Sequence, residues 1–345
     1  PILAFEHDGT LKWTSTEKWD GPRTMNGSIS IADVDNDGDP EIIAGNLVLN
    51  HDGTTQVEFD DYPNPTLGWR PSASTAHDLD GDDDLEIVLG VTAYHHDGSL
   101  YYDHMNDFTY SGFPQVADLD DDGKPEILLT TKEGISMLED DGAIKFKDQR
   151  PTGDDTSHLN WSRPAAIHDF NGDGAADFAM SSGSNYTVYE GDATVIWSKP
   201  VSDQSGIASG TAFDFLGDGV AEAEYIDEQK LFIFDGATGN VVLQADRGSP
   251  TIVEYPTVTD VDNDGSAEIL VVSTNGAPTL QVIRDKDDRW IQARRIWNQH
   301  TYHVTNVRED GTIPQYEPPH WELLNTFRTN AQIENGGTCM PMPEG

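Results

Sequence analysis

The stretch Asp33-Val-Asp-Asn-Asp-Gly-Asp-Pro-Glu41 decides how this chain is read. Carboxylates stand at its positions 1, 3 and 5, a glycine at position 6 and an acid at position 9. Five more stretches repeat the pattern: Asp78-Leu-Asp-Gly-Asp-Asp-Asp-Leu-Glu86, Asp118-Leu-Asp-Asp-Asp-Gly-Lys-Pro-Glu126, Asp169-Phe-Asn-Gly-Asp-Gly-Ala-Ala-Asp177, Asp214-Phe-Leu-Gly-Asp-Gly-Val-Ala-Glu222 and Asp260-Val-Asp-Asn-Asp-Gly-Ser-Ala-Glu268. Their first aspartates are 45, 40, 51, 45 and 46 residues apart, so one structural unit recurs six times.

Oxygen ligands converging from a tight loop suit a hard divalent cation, and calcium takes about six to eight of them. Side chains at positions 1, 3 and 5, the backbone carbonyl of position 7 and the acid at position 9 can complete such a shell. The predicted ligands are Asp33, Asp35, Asp37, Asp39 and Glu41 in the first stretch, and Asp78, Asp80, Asp82, Asp84 and Glu86 in the second. Asp118, Asp120, Asp122, Lys124 and Glu126 follow in the third, and Asp169, Asn171, Asp173, Ala175 and Asp177 in the fourth. The last set is Asp260, Asp262, Asp264, Ser266 and Glu268. In the fifth stretch Leu216 stands where position 3 needs an oxygen, leaving Asp214, Asp218 and Glu222. Five complete Ca²⁺ sites and a sixth that is weak or empty are therefore expected. Without a cation, each like-charged pair about 4 Å apart costs on the order of 4 kcal/mol at an effective dielectric of about 20. An EF-hand loop opens in the same way but needs flanking helices and an acid at position 12; here the closing acid comes at position 9.

After each acidic stretch comes a short apolar run: Ile42-Ile43, Ile87-Val88-Leu89, Ile127-Leu128-Leu129, Phe178-Ala179-Met180 and Ile269-Leu270-Val271-Val272. Length and β-branching favour strands. The fifth, Ala223-Glu224-Tyr225-Ile226, is the most polar. Asp52-Gly53, Asp97-Gly98, Asp141-Gly142, Gly191-Asp192 and Asp235-Gly236 then mark hairpins, with a type I′ turn expected at Asp-Gly. Each unit reads as strand, acidic loop, strand, hairpin, which is one four-stranded blade. The fold class is all-β: a seven-bladed β-propeller whose closing blade is shared between the N- and C-termini. Residues 2–13, with Asp8-Gly9, would supply its outer strands. Stretches near 301–307 and 313–316 would supply the inner ones. Residues 1–334 then form a single domain, and 335–345 a flexible tail or a linker to a further region.

Asp-x-Asp-x-Asp-Gly-x-x-[Asp/Glu] within a repeat of this length resembles the FG-GAP/VCBS repeats. The resemblance covers residues 1 to about 330 and lies nearest the bacterial secreted members, with Gly112-Phe113-Pro114 a partial trace of the family's other marks. It implies a seven-bladed propeller of the kind found in integrin α subunits. It also implies that the loops hold calcium structurally, on the face away from the usual ligand surface.

The formal net charge is −42, from 62 acids against 20 bases. A surface this acidic excludes nucleic acid as a partner and opposes anionic membranes. No apolar stretch reaches the roughly 18 residues of a membrane span, so no membrane insertion is expected. The start at Pro1 suggests a processed form or an excised fragment. The lone Cys339 cannot form an internal disulfide and is expected to be an idle thiol in the tail, although that tail could contact further domains or copies. Sequons at Asn26, Asn160 and Asn185 matter only in a glycosylating host.

Segments entering the first strand of each unit carry aromatic and arginine residues: Trp19 and Arg23, Trp69 and Arg70, Phe113, Trp161 and Arg163, Arg247 and Tyr255. Aromatic faces suit sugars and arginine suits carboxylates. Trp69, Arg70, Phe113, Trp161, Arg163 and Tyr255 are the candidate ligand face, opposite the calcium loops. Packing between blades is the competing role for each. The segment from Arg294 to His303 is locally basic and rich in rings; His300, His303 and His320 could ligate a transition metal, although packing explains them too. His77 and His168 are read as strand packing.

No nucleophile elbow, phosphate loop, dinucleotide fingerprint or catalytic-zinc spacing occurs. The leading expectation is a non-enzymatic, calcium-stabilised binding module, secreted or on the cell surface, acting in adhesion or recognition of a glycan or an extracellular protein. The alternatives are a structural subunit of a fibre or multidomain surface protein, and a lyase acting on acidic glycans. The resemblance keeps the lyase open; His158, Arg163 or Tyr255 could serve as its base.

Overall fold

A computed structural model of the chain describes residues 1–17, 28–59, 73–150, 163–203, 208–250, 254–275, 278–334 and 338–339. The N-terminus forms a two-stranded sheet, β1 (Leu3–Phe5) and β2 (Leu11–Thr14). Five four-stranded antiparallel sheets follow, each a meander of consecutive strands. The first holds β3 (Ser30–Ala32), β4 (Glu41–Ala44), β5 (Leu47–Leu49) and β6 (Thr55–Glu58). The second holds β7 (Thr75–His77), β8 (Glu86–Val88), β9 (Thr92–Tyr94) and β10 (Leu100–Asp103). The third holds β11 (Phe113–Ala117), β12 (Glu126–Thr130), β13 (Ile135–Leu138) and β14 (Ile144–Gln149). The fourth is β15 (Ala166–His168), β16 (Asp177–Ser181), β17 (Asn185–Tyr189) and β18 (Val195–Pro200). The fifth is β19 (Gly210–Phe213), β20 (Glu222–Ile226), β21 (Lys230–Phe234) and β22 (Val241–Asp246). The sixth repeat gives three strands, β23 (Thr257–Thr259), β24 (Glu268–Val272) and β25 (Leu280–Arg284). A last sheet joins β26 (Gln292–Ala293), β27 (Gln332–Glu334) and β28 (Thr338–Cys339).

The hydrophobic core is divided among the seams between successive sheets. Val34, Ile43 and Val48 of the first repeat pack with Ala76, Ile87 and Tyr94 of the second. Val88 and Ala93 meet Val116, Ile127 and Leu138 across the next seam. Leu128 and Met137 meet Ile167, Phe178 and Tyr189. Ala179 and Val188 meet Ala212, Ala223 and Phe234. Phe213 and Leu231 meet Val258 and Ile269. The first three strands of a sheet bury residues on both faces, whereas the fourth is mostly exposed, as in β14 and β22. Four-stranded sheets packed face to face in chain order are consistent with a propeller.

The hairpins lie where Asp-Gly placed them, but their geometry differs. Gly53, Gly98 and Gly142 take φ near +85°, while Asp52, Asp97 and Asp141 do not enter the left-handed region. The turn therefore has one left-handed residue rather than the two of type I′, and the register slips beside it, as between Val48 and Leu49. Instead, the aspartate side chain closes the turn: Asp52 Oδ1 accepts from the Thr54 amide at 2.9 Å and Asp97 Oδ1 from the Ser99 amide at 2.8 Å.

The shared closing blade is corrected. The stretches 301–307 and 313–316 contain no strand, and β1 and β2 pair only with each other among the described residues. The N-terminal hairpin packs on the first sheet instead. Trp13 lies against Gly53 and donates to the His51 carbonyl at 2.9 Å. At the other end, Ile291 is wedged between the fifth and sixth acidic loops. Its amide donates to Phe215 and its carbonyl accepts from Ala267. β26 and β27 follow there, with Gln332 Nε2 donating to the Asp214 carbonyl at 2.6 Å.

What the C-terminal segment does instead is run along the first strand of every repeat. Gln299 Oε1 accepts from the Ile31 amide, and the His303 ring packs on His77. His320 meets the Val116 carbonyl, and Phe327 pairs with Ile167 in an isolated antiparallel bridge. The Arg328 carbonyl accepts from Thr211, and Asn330 donates to Val258. Residues 294–332 are a hub to which all six first strands are fastened.

Candidate metal centres

Each acidic stretch links the first strand of its sheet to the second, so the six loops emerge from one end of the molecule. Loop neighbours touch there: Asn36 Nδ2 donates to the Asp83 carbonyl at 2.6 Å, and the Ala221 amide donates to the Asp169 carbonyl.

The loops share one bonding scheme. The acid at position 9 accepts from the amide of position 2 in every copy: Glu41 from Val34, Glu86 from Leu79, Glu126 from Leu119, Asp177 from Phe170, Glu222 from Phe215 and Glu268 from Val261. The acid at position 1 accepts from the amide of position 6, as in Asp33 with Gly38 at 2.8 Å and Asp214 with Gly219 at 2.8 Å. The acid at position 5 accepts from the amide of position 7, as in Asp37 with Asp39 and Asp264 with Ser266. These bonds hold three carboxylates inward while leaving lone pairs free.

Positions 4 and 6 both take positive φ in all six copies. Position 4 is Asn36, Gly81, Asp121, Gly172, Gly217 and Asn263, with φ between 57° and 79°. Position 6 is Gly38, Asp83, Gly123, Gly174, Gly219 and Gly265. Only glycine, asparagine and aspartate occur at either place, the types that tolerate the left-handed region. The sequence reading marked position 6 and missed position 4, where the same restriction was visible.

In each of the sets Asp33/Asp35/Asp37, Asp78/Asp80/Asp82 and Asp118/Asp120/Asp122, one carboxylate oxygen per residue lies within 4.8 Å of the others. Oxygens around one calcium ion, each about 2.3–2.6 Å from it, span distances of this size. Asp33 Oδ1, Asp35 Oδ1, Asp177 Oδ1 and Glu268 Oε1 are buried with no hydrogen-bond partner. Burial pushes Glu41 and Asp177 up to about 8, and the neighbouring carboxylates add to the rise. Burial likewise raises Glu86, Glu126 and Glu222 to about 7. Buried carboxylates with unspent lone pairs and crowded like charges fit a divalent cation, which supplies the missing charge and takes up the orphaned oxygens.

The loops differ in what the outer strands bring to them, which the sequence reading did not anticipate. Gln56 Nε2 donates to Asp35 at 3.1 Å in the first. His95 Nδ1 lies 3.0 Å from Glu86 in the second. In the third, Lys145 Nζ contacts Asp120, lies 3.2 Å from Glu126 and 3.4 Å from Glu139. Glu190 faces Asn171 in the fourth, and Arg284 lies 3.5 Å from both Asp262 and Asp264 in the sixth. The fifth loop keeps the common backbone bonds although Leu216 projects into solvent at 60 % exposure.

The proposed ligand face fares differently. Trp19, Arg23, Trp69, Arg70, His158 and Trp161 lie outside the described residues. Phe113 is buried against the His300 ring, and Arg163 is fully buried beside Asp203. Neither presents a surface, which removes both from that face and Arg163 from the lyase role. Arg247 is buried and paired with Glu254. Tyr255 is half-buried with the Arg328 guanidinium 4.6 Å over its ring. Within the basic segment, Arg294 is buried and bonded to Glu309, Tyr302 and the Val304 carbonyl. Arg294 holds the hub together, whereas Arg295 is exposed and donates to Asn263 Oδ1 at 3.2 Å. No helix among the described residues is long and apolar enough to cross a membrane.

Residues 118–180, from the third acidic loop to the end of β16, match the FG-GAP-like repeat family. No curated protein matches the chain by sequence. Among solved structures, the V. cholerae biofilm matrix protein Bap1 superposes with a TM-score of 0.73 at 19% identity, covering 94% of this chain and 79% of Bap1. The exotype rhamnogalacturonan lyase YesX gives 0.54 at 16%, covering 80% of this chain and 51% of the lyase. The Bacillus licheniformis rhamnogalacturonan lyase PL11 gives 0.54 at 16%, with 81% and 50% covered. The chain thus spans about half the length of either lyase. At these identities the likeness speaks for the fold alone. Over its third and fourth acidic loops, the chain is similar to the FG-GAP-like repeat family.

Proposed function

We propose that this chain is a calcium-stabilised, non-enzymatic binding module of an extracellular protein, acting in adhesion or recognition of a glycan or protein. The observation that carries it is the six-fold recurrence of one loop geometry at one end of the fold, with inward carboxylates and buried, unsatisfied oxygens. Five loops hold Ca²⁺, and the fifth in chain order, lacking an oxygen at position 3, is weak or empty. Calcium sets the rigidity of the sheets, and recognition falls to the end opposite the acidic loops. Extracellular placement is supported by calcium modules of this kind working at about 10⁻⁴–10⁻³ M, and by the fold shared with a biofilm matrix protein.

A lyase reading loses support, because Arg163 is enclosed with Asp203 and Tyr255 is stacked under Arg328. The test is a glycan and matrix-protein binding screen run in millimolar calcium and again with chelator. Saturable binding that chelation abolishes is the expected result. Turnover of a uronic-acid polymer, or an absence of any binding by folded, calcium-loaded protein, would overturn it.

A further inference from the structure

Three histidines meet where the hub crosses the second sheet, with His77 one residue before the second acidic loop. His77 comes from β7, and His303 and His320 come from the hub; they are 3 %, 1 % and 0 % exposed. Their ring centroids are 4.5 Å (His77–His303), 4.7 Å (His303–His320) and 5.2 Å (His77–His320) apart. One nitrogen of each lies within 4.8 Å of the others. Three buried imidazoles converging on a point is a costly arrangement for packing alone, since each carries polar nitrogens that need partners.

The outward nitrogens are already fixed. His320 Nε2 lies 2.9 Å from the Val116 carbonyl, which can only accept, so this nitrogen carries the proton. His320 Nδ1 is left with a lone pair, buried and without a partner. His303 Nδ1 lies 3.0 Å from the Thr301 carbonyl and is protonated for the same reason. Its Nε2 faces Glu317 Oε1 at 2.5 Å, an oxygen that also accepts from Thr305 Oγ1 at 2.9 Å. A proton must sit between that nitrogen and that carboxylate. His77 Nε2 contacts the Thr75 hydroxyl at 2.7 Å, leaving its Nδ1 for another role. Histidines whose far nitrogens donate to backbone carbonyls are oriented as metal ligands are, with the tautomer set by the outer bond.

We propose that His77, His303 and His320 form a three-imidazole site for a divalent transition metal ion of the zinc class, with the Glu317 carboxylate, now paired with His303 Nε2, shifting to take the fourth position. Binding forms three nitrogen–metal bonds and one oxygen–metal bond. It releases to solvent the proton now shared by His303 and Glu317. Imidazole nitrogens favour zinc, copper, iron or nickel over calcium, so this site is chemically distinct from the acidic loops. With four protein ligands and no open position its role is structural. It ties the hub between residues 303 and 320 to the innermost strand of the second sheet.

The test uses untagged full-length protein, stripped with chelator and resaturated with millimolar Ca²⁺. Zn²⁺ is then titrated, and the zinc K-edge X-ray absorption spectrum is recorded at one equivalent. One tightly held equivalent with three imidazoles in its shell, and a rise in Tm beyond that given by calcium, is the expected result. His320→Gln should lose that equivalent and that rise while keeping the calcium-dependent rise. A shell of oxygens alone, no zinc retained by calcium-saturated protein, or unchanged stoichiometry in folded His320→Gln would overturn the site. If His320→Gln does not fold, the wild-type absorption spectrum decides by itself.

Discussion

At the residue scale, the acidic loop is a backbone problem before it is a charge problem. Two left-handed positions per loop allow amides 2, 6 and 7 to reach three carboxylates. Asp83 is the sole non-glycine at position 6, with φ 77° and an exposed side chain. Asp83→Gly should therefore stabilise the protein by about 0.5–1 kcal/mol, read as a higher denaturation midpoint with unchanged slope. Leu216 makes the complementary case. The fifth loop has the scaffold bonds without the third ligand, so Leu216→Asp should add one calcium per chain, measured by equilibrium dialysis. Unchanged stoichiometry in a folded variant would show that the loop scaffold alone does not create a site.

At the element scale, the outer strands tune loops that the repeat makes equivalent. β14 sends Lys145 into the third loop, where its ammonium contacts Asp120 and Glu126 and competes with a cation for the same oxygens. Lys145→Met should tighten calcium binding at that loop about tenfold or more, because a like charge a few ångströms from the ion is removed. Titration calorimetry on the variant checks this; a looser site would mean that Lys145 serves to orient the ligands. None of these neighbours was legible in the loop motif, because they come from hairpin and outer-strand positions that reach the loops only once the sheet has formed. The hairpins teach a similar lesson. Asp-Gly located the turns at Asp52-Gly53, Asp97-Gly98 and Asp141-Gly142, but the aspartate side chain took over part of the closure, so one left-handed glycine sufficed there.

At the scale of the whole molecule, the hub makes the sheets interdependent. Arg328 is fully buried and donates to the carbonyls of Pro164 and His300 and to Ser209, joining the fourth and fifth repeats to the hub. Arg328→Met would leave those acceptors without a donor and should cost at least about 3 kcal/mol, seen as a lower Tm with calcium present. Calcium removal should also lower Tm strongly, since an ion that binds only the folded state stabilises it. The pH dependence separates the two states. With chelator, acids held up to about 7 or 8 keep protons in the fold that the unfolded chain releases at ordinary carboxylate pH. Stability should then fall as pH rises between roughly 5 and 8. In millimolar calcium the ion takes the place of those protons, and the fall should vanish.

The sequence by itself determined the six units, the strands on either side of each acidic loop and the place of the loop between them. These are local properties: a fixed spacing of carboxylates and glycines, and apolar runs of strand length, act within about ten residues of one another. Tertiary structure alone decided how the ends of the chain are used. Residues 294–332 carry no strand periodicity to announce a hub, and they read as a failed blade. Their bonds run to backbone groups up to 279 residues away, such as Gln315 with the Asn36 carbonyl. The meeting of His77 with His303 and His320, and the enclosure of Phe113 and Arg163, have the same origin. Which side chains share a point depends on how the sheets surround the hub, and no short-range pattern encodes that.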